Sequence, residues 1–321
     1  MKQLWRRLKQ LWPSLKPYFY PLILIAILIF LGLALQDHWQ EVAAIQISNR
    51  GWACLAIATG MTMLAYIWAG WIWGWILHLL GYPVSGIWAA QAYLTTNIAK
   101  YLPSNLFHLY GRTLKATEIG VPPEAASLSV LLDTLLMAAA GLIIGLLSIP
   151  KDLLIVEILS LVAVLSAIHP RILNSLLRYL GQLIGKQRDH RHPDLAVHRI
   201  KHYPIRPLLG ELGFIILRGG GFVLAFVALS PISLQSVPAL ISVFSIGWLL
   251  GFITPGAPGG LGIFEVTVIT LLNHADILQG GQSLSPGMIL SIVALYRLIS
   301  TLAEAIAAGL AWLDIKLQGT G

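Results

Sequence analysis

"ITPGAPGGLGIFE", Ile253 to Glu265, stands between two of the most apolar stretches of the chain. It holds two prolines, four glycines and one carboxylate. Prolines end helices and glycines permit tight or left-handed turns, so a helix stops here and another begins near Ile263. The surroundings make this decisive: the 321-residue chain is 57% hydrophobic and 11% charged, a balance that water-soluble domains do not reach. Backbone that leaves a helix in hydrocarbon strands its N–H and C=O groups at several kcal/mol each, so it survives only against protein or a water-filled cavity. The new helix also presents free N–H groups and a positive dipole end, which suit an anion. That anion is Glu265, capping its own helix, or a ligand such as a lipid phosphate.

Outward from this break, windows of about 20 apolar residues fall at 20–36, 51–80, 125–149, 152–168, 207–230 and 287–312. The expected fold is an all-α polytopic membrane protein with about six full transmembrane helices. Two shorter apolar stretches, 84–99 and 236–253, end in Pro-containing breaks and are expected to be re-entrant. No segment is long and polar enough for a soluble catalytic domain, so 1–321 reads as a single integral membrane domain. Residues 1–20 carry Lys2, Arg6, Arg7, Lys9 and Lys16 without an acid and read as a basic interfacial segment. The 170–206 stretch is a second basic segment, expected to be a cytoplasmic loop. Positive charge marks the cytoplasmic side, which places both termini there. The lone Cys54 excludes an internal disulfide.

The order of features repeats. In 84–149 an apolar stretch runs into "NIAKYLPSNLFHLYGR" and then a long apolar helix. In 236–312 an apolar stretch runs into "ITPGAPGGLGIFE" and then another. The crossing arithmetic gives the two units opposite orientations, and paired broken helices in inverted repeats point to a midplane substrate site in transporters.

These paired motifs resemble the membrane domain of lysylphosphatidylglycerol synthase and its flippase-like relatives. The resemblance covers most of the chain. It rests on Asn97, Tyr101, Pro103 and Arg112 in the first half and on Pro255, Gly259, Gly260, Gly262 and Glu265 in the second. Ser104 and His108 stand where the family usually has glycines, and "SVLLDT" retains Asp133 without the Glu-Arg pair often found before it. The resemblance implies lipid handling, by a flippase for lipids with modified head groups. The soluble domain that makes aminoacyl lipids in the best-known members has no counterpart here, so no enzyme activity is expected.

Charges inside the spans point the same way. An unpaired one costs about 2.5–3.5 kcal/mol, so Asp133, Arg218, Glu265, Arg297 and Glu304 should each face a partner or a wet cavity. Arg297, Thr301, Glu304 and Ala308 share one helix face beside Ser300. Either Arg297 holds a lipid phosphate while Glu265, Glu304 or Asp133 balances it or takes up a coupling proton, or these residues form a structural ion-pair network. Glu157 and Glu211 fall near span ends and read as interfacial. "DHRHPDLAVHRIKH", Asp189 to His202, clusters histidines without an acid or thiol to complete a metal site, and suits anionic head groups better. "YIWAGWIWGWILH", Tyr66 to His78, spreads four tryptophans over more than one helix face, as lipid-facing bulk or a ring-stacking surface.

The expected function is movement of a phospholipid or lipid-linked head group between leaflets of a bacterial plasma membrane. The residues expected to meet it are Asn97, Tyr101, Pro103, Arg112, Asp133, Pro255, Gly259, Gly260, Gly262, Glu265, Arg297 and Glu304. The alternative is a non-transporting partner that presents lipid to a separately encoded glycosyltransferase or aminoacyl-lipid synthase. No cofactor, metal or nucleic acid is called for.

Overall fold

In a computed structural model of the chain, the described residues are 47–101, 106–147, 151–185, 200, 202–254, 258–260, 262–274 and 286–318. The expected interfacial segment 1–20, the 20–36 span, Pro103 and Pro255 lie outside them.

Helix α1, Asn49–Leu79, begins at Ser48, whose side chain accepts the Gly51 N–H at 3.1 Å. Its 31 residues make it about 46 Å long. Helix α2, Gly86–Asn97, is capped in the same way by Ser85 and tightens into a 3-10 turn over Ile98–Tyr101. Helix α3, Phe107–Glu118, and α4, Pro123–Gly145, follow, with proline in the first turn of α4, where a missing N–H costs nothing. Then come α5, Lys151–Ala167, α6, Pro170–Gly185, and α7, Ile205–Leu229. The chain ends with α8, Val237–Ile253, a 3-10 turn over Pro258–Gly260, α9, Ile263–His274, and α10, Pro286–Gln318. No strand occurs among the described residues.

Five of these helices are long and apolar enough to cross a membrane: α1, α4, α7, α8 with its lead-in from Leu234, and most of α10. The protein is an integral membrane protein. A sixth crossing is available if α5 and the start of α6, bent by 62° at Pro170, count as one span. The sequence order of helix, break, short helix and long helix occurs twice, as α2–α3–α4 and α8–α9–α10, and α3 and α9 are each 12 residues long. The two entering helices differ, however. At 12 residues α2 extends about 18 Å and cannot span, whereas Leu234–Ile253 can.

Two sequence expectations change. The 170–206 segment is not loop throughout, because its first half is α6, which buries Leu173 and exposes Arg171, Ser175 and Arg178. Proline at its first position ends α5 and starts the new helix. Glu157 and Glu211, near span ends in the sequence, do not face outward: Glu157 is 5% exposed and Glu211 fully buried. Gly210 packs on Ile72 and Trp75 of α1, so that longer helix covers the end of α7 on which Glu211 sits.

Small residues bring the helices together, as they must where lipid supplies no hydrophobic drive for association. A Cβ on Gly70 of α1 would lie 2.5 Å from the Cα of Ala90 in α2, and one on Gly221 of α7 would lie 2.8 Å from Thr62 in α1. Hydroxyls pin other pairs: Ser245 of α8 donates to Gly141 O of α4 at 2.8 Å. Trp73 is core, stacked on Trp88 at 5.7 Å and donating to Ser129, while Trp71 points outward. In the second half Phe222, Phe244, Phe264 and Tyr296 form one aromatic cluster with ring centroids 5.4–6.3 Å apart.

The second break is built on glycines with left-handed backbone. Gly260 has φ +73°, and a Cβ there would meet the Gly251 backbone at 2.9 Å; Gly262 has φ +82° but open space around it. Gly262→Ala therefore carries the left-handed strain alone, about 1–2 kcal/mol, whereas Gly260→Ala adds a backbone clash. Thermal unfolding in detergent should show a modest loss for the first and a larger one for the second; equal losses would show that the α8 contact does not fix the break.

Candidate functional site

The site grows from the way each break satisfies its own polar groups. Arg297 of α10 reaches into the second break, where Nη1 donates to Gly259 O and Nη2 to Gly260 O, both at 2.9 Å. Its Nε donates to Glu265 at 2.7 Å, and its guanidinium lies 4.6 Å from the Phe264 ring centroid. The second Glu265 oxygen accepts the Gly262 N–H at 2.7 Å. Glu265 is the third residue of α9 and bonds back to the residue before the helix, one arm of a capping box. Of the two roles open to it, capping is the one seen.

The first break closes on α10 as well. Asn97 and Tyr101 donate to the two oxygens of Glu304, at 2.5 and 2.9 Å, and Lys100 pairs with it at 2.8 Å. The three residues, spaced i, i+3 and i+4 across the α2 end and its 3-10 turn, share one face, which gathers them on one carboxylate. Lys100 also approaches the Tyr66 hydroxyl at 3.3 Å. The two breaks touch directly, since a Cβ on Gly259 would strike the Tyr101 ring at 2.7 Å.

Behind the first break Arg112 of α3 pairs with Asp133 of α4 at 2.5 Å and lies over the Tyr93 ring at 4.1 Å. Both charged groups are nearly inaccessible. Arg218 of α7 is different. It is 5% exposed and donates only to neutral hydroxyls, Ser300 at 2.7 Å and Tyr296 at 3.2 Å, while its Nε has no partner. Rings of Tyr66, Phe214 and Phe244 surround it at 4.9–5.9 Å. Among the described residues no carboxylate stands within ion-pair distance of it.

These groups open onto one cavity. The first unit contributes Asn97, Lys100, Tyr101, His108 and Arg112, and the second Gly259, Gly260, Phe264, Arg297 and Ser300. Tyr66, Phe214 and Arg218 complete it from α1 and α7, and Phe244, Trp248 and Phe252 give it an apolar side. A wall with fixed cations on one part and aromatic rings on another suits an amphiphile carrying an anionic group.

Of the residues singled out in the sequence, Asn97, Tyr101, Arg112, Arg218, Gly259, Gly260 and Arg297 line this cavity. Asp133, Glu265 and Glu304 stand one step back as partners of lining cations, and Gly262 shapes the turn before α9. Sequence reasoning did not single out Lys100 or Tyr66, and placed Ser300 only beside the polar face of the last helix. Lys100 carried a readable signal, a lysine closing the apolar run of α2; Tyr66 looks like an ordinary span residue. No cluster of metal-ligating side chains occurs among the described residues.

Fold and site define an integral membrane protein with a charged cavity where two broken-helix units meet. Neither protein-family models nor curated proteins match the chain.

Glu304 carries three donors, one a cation, at 1% exposure. Breaking such a pair from one side costs about 3–5 kcal/mol because the other charge is left buried. Glu304→Leu should therefore sharply lower the unfolding temperature, and the double variant with Lys100→Met should recover most of the loss. Additive losses in that cycle would mean that Lys100 and Glu304 do not depend on each other.

Proposed function

We propose that the cavity binds the anionic head group of a membrane lipid and that the protein moves that lipid between leaflets, its acyl chains remaining in the bilayer. One observation carries the reading: Arg218 is a buried cation with no carboxylate within ion-pair distance among the described residues, at the wall of a cavity that both broken-helix units line. A buried charge left unpaired is costly, and in membrane interiors such residues mark substrate and ion pathways. An anion in the cavity neutralises it. Arg297 adds two further N–H groups that its bonds to Gly259, Gly260 and Glu265 leave unused.

The resemblance of "NIAKYLPSNLFHLYGR" and "TPGAPGGLGIFE" to flippase-like membrane proteins supports the same reading, and with it an inverted relation between the two units. Opposed units around one site give alternating access by rocking of one against the other. Both termini on the cytoplasmic side of a bacterial plasma membrane complete the proposal.

The test is reconstitution in liposomes with acyl-labelled phosphatidylglycerol or phosphatidylcholine, reading leaflet exchange by quenching of the outer label. The protein should accelerate exchange of the anionic lipid above that of the zwitterionic one. Arg218→Gln should lower it on the order of tenfold or more, the size of one charge-assisted contact, while thermal stability is kept or raised because an uncompensated charge leaves the interior. Unchanged exchange in Arg218→Gln sinks the site assignment. Binding of anionic lipid by wild type without any exchange favours the partner that presents lipid to another enzyme.

A further inference from the structure

Glu211 is absent from the ion pairs of the site, yet it lies at the heart of the molecule. Its carboxyl, on α7, faces that of Asp133 on α4, and both feel the Arg112 guanidinium from α3. Asp133 Oδ2 accepts from Arg112, but Asp133 Oδ1 and both Glu211 oxygens are buried without a donor. Three orphaned carboxyl oxygens in one place are a defect only if both acids are ionised. A single proton on either group supplies the missing donor and lets the two carboxyls bond to each other. Two carboxylates in contact share a proton for the same reason, since like charges at that distance in a low dielectric cannot both be held.

We propose that Asp133 and Glu211 hold one exchangeable proton between them, and that this proton keeps the cavity receptive to an anion. Around the cavity stand four cations, Lys100, Arg112, Arg218 and Arg297, and four acids, Asp133, Glu211, Glu265 and Glu304. With the proton in place the set carries one net positive charge. Once it leaves, the set is neutral and Arg112, a cavity-lining residue, is held by two carboxylates. The other groups near the pair are Tyr93 of α2, against which Arg112 stacks, and His108 of α3, which faces Arg112 rather than the carboxyls. None of these is an anion near neutral pH, so none substitutes for the ligand. By linkage, an anion in the cavity raises the proton affinity of the pair, and the proton raises the affinity for the anion by the same factor.

The shared proton stands on the buried geometry alone; the coupling rests on the anionic-lipid reading above. Two measurements separate them. Infrared spectra of the purified protein in H2O and D2O should show a protonated-carboxyl stretch that is lost in Glu211→Gln and kept in Glu157→Gln beyond the part due to Glu157 itself, another buried carboxyl without a donor. Calorimetric binding of short-chain phosphatidylglycerol should weaken by a factor on the order of 5–150 as the pH rises through the range in which the wild-type infrared band is lost. In Glu211→Gln, whose amide donates to Asp133 without titrating, the affinity should stay near the low-pH value throughout. A spectrum without the band, or one that Glu211→Gln leaves unaltered, overturns the shared proton. A band with pH-independent wild-type affinity overturns the coupling. If short-chain phosphatidylglycerol binds at no pH, the coupling falls together with the lipid reading, and the spectrum still decides on the proton.

Discussion

The Arg297 guanidinium holds the fold at its weakest point. Where α8 gives way to α9 the backbone leaves the helix, and the carbonyls of Gly259 and Gly260 lose their helical partners inside an apolar molecule. Arg297 supplies a donor to each and a third to Glu265, which in turn satisfies the free N–H of Gly262. One planar cation thus meets both halves of the problem that an unwound segment raises in a membrane: orphaned acceptors before the new helix and orphaned donors at its start. Lysine carries its three donors on one nitrogen and lacks the planar fork that reaches three separated acceptors.

Because Arg297 and Glu304 lie seven residues apart on α10, the same helix organises both breaks. Two turns onward from Arg297, Glu304 collects Asn97, Lys100 and Tyr101. The breaks then meet at Tyr101 and Gly259, and the cavity is what remains between them. From Glu304 a chain of polar contacts leads through Lys100, Tyr66 and Ser300 to Arg218. A site wired this way responds as a unit, so a change at one acid alters the hold on cations elsewhere around the wall.

Much of this was legible residue by residue. The second break was readable because its demand is local: Gly259, Gly260 and Gly262 all adopt left-handed backbone, which prolines and glycines in sequence announce. The charges inside spans were readable from their cost alone. Glu211 misled, because closeness to a span end in sequence suggests an interface, whereas α1 overhangs that end and buries it. Lys100 was passed over since a lysine closing an apolar run looks like an interface anchor until its carboxylate is seen on another helix.

Composition and hydrophobic run length, with the placement of prolines and glycines, determine that this is a membrane protein with two broken helices, because these properties act through neighbours along the chain. Which charge answers which is another matter. Arg297 with Glu265, Lys100 with Glu304, Arg112 with Asp133, and Arg218 without an ion-pair partner among the described residues are outcomes of packing between helices tens to hundreds of residues apart. Tertiary structure decides them because the worth of a buried charge depends on what surrounds it in space, and sequence distance carries no measure of that.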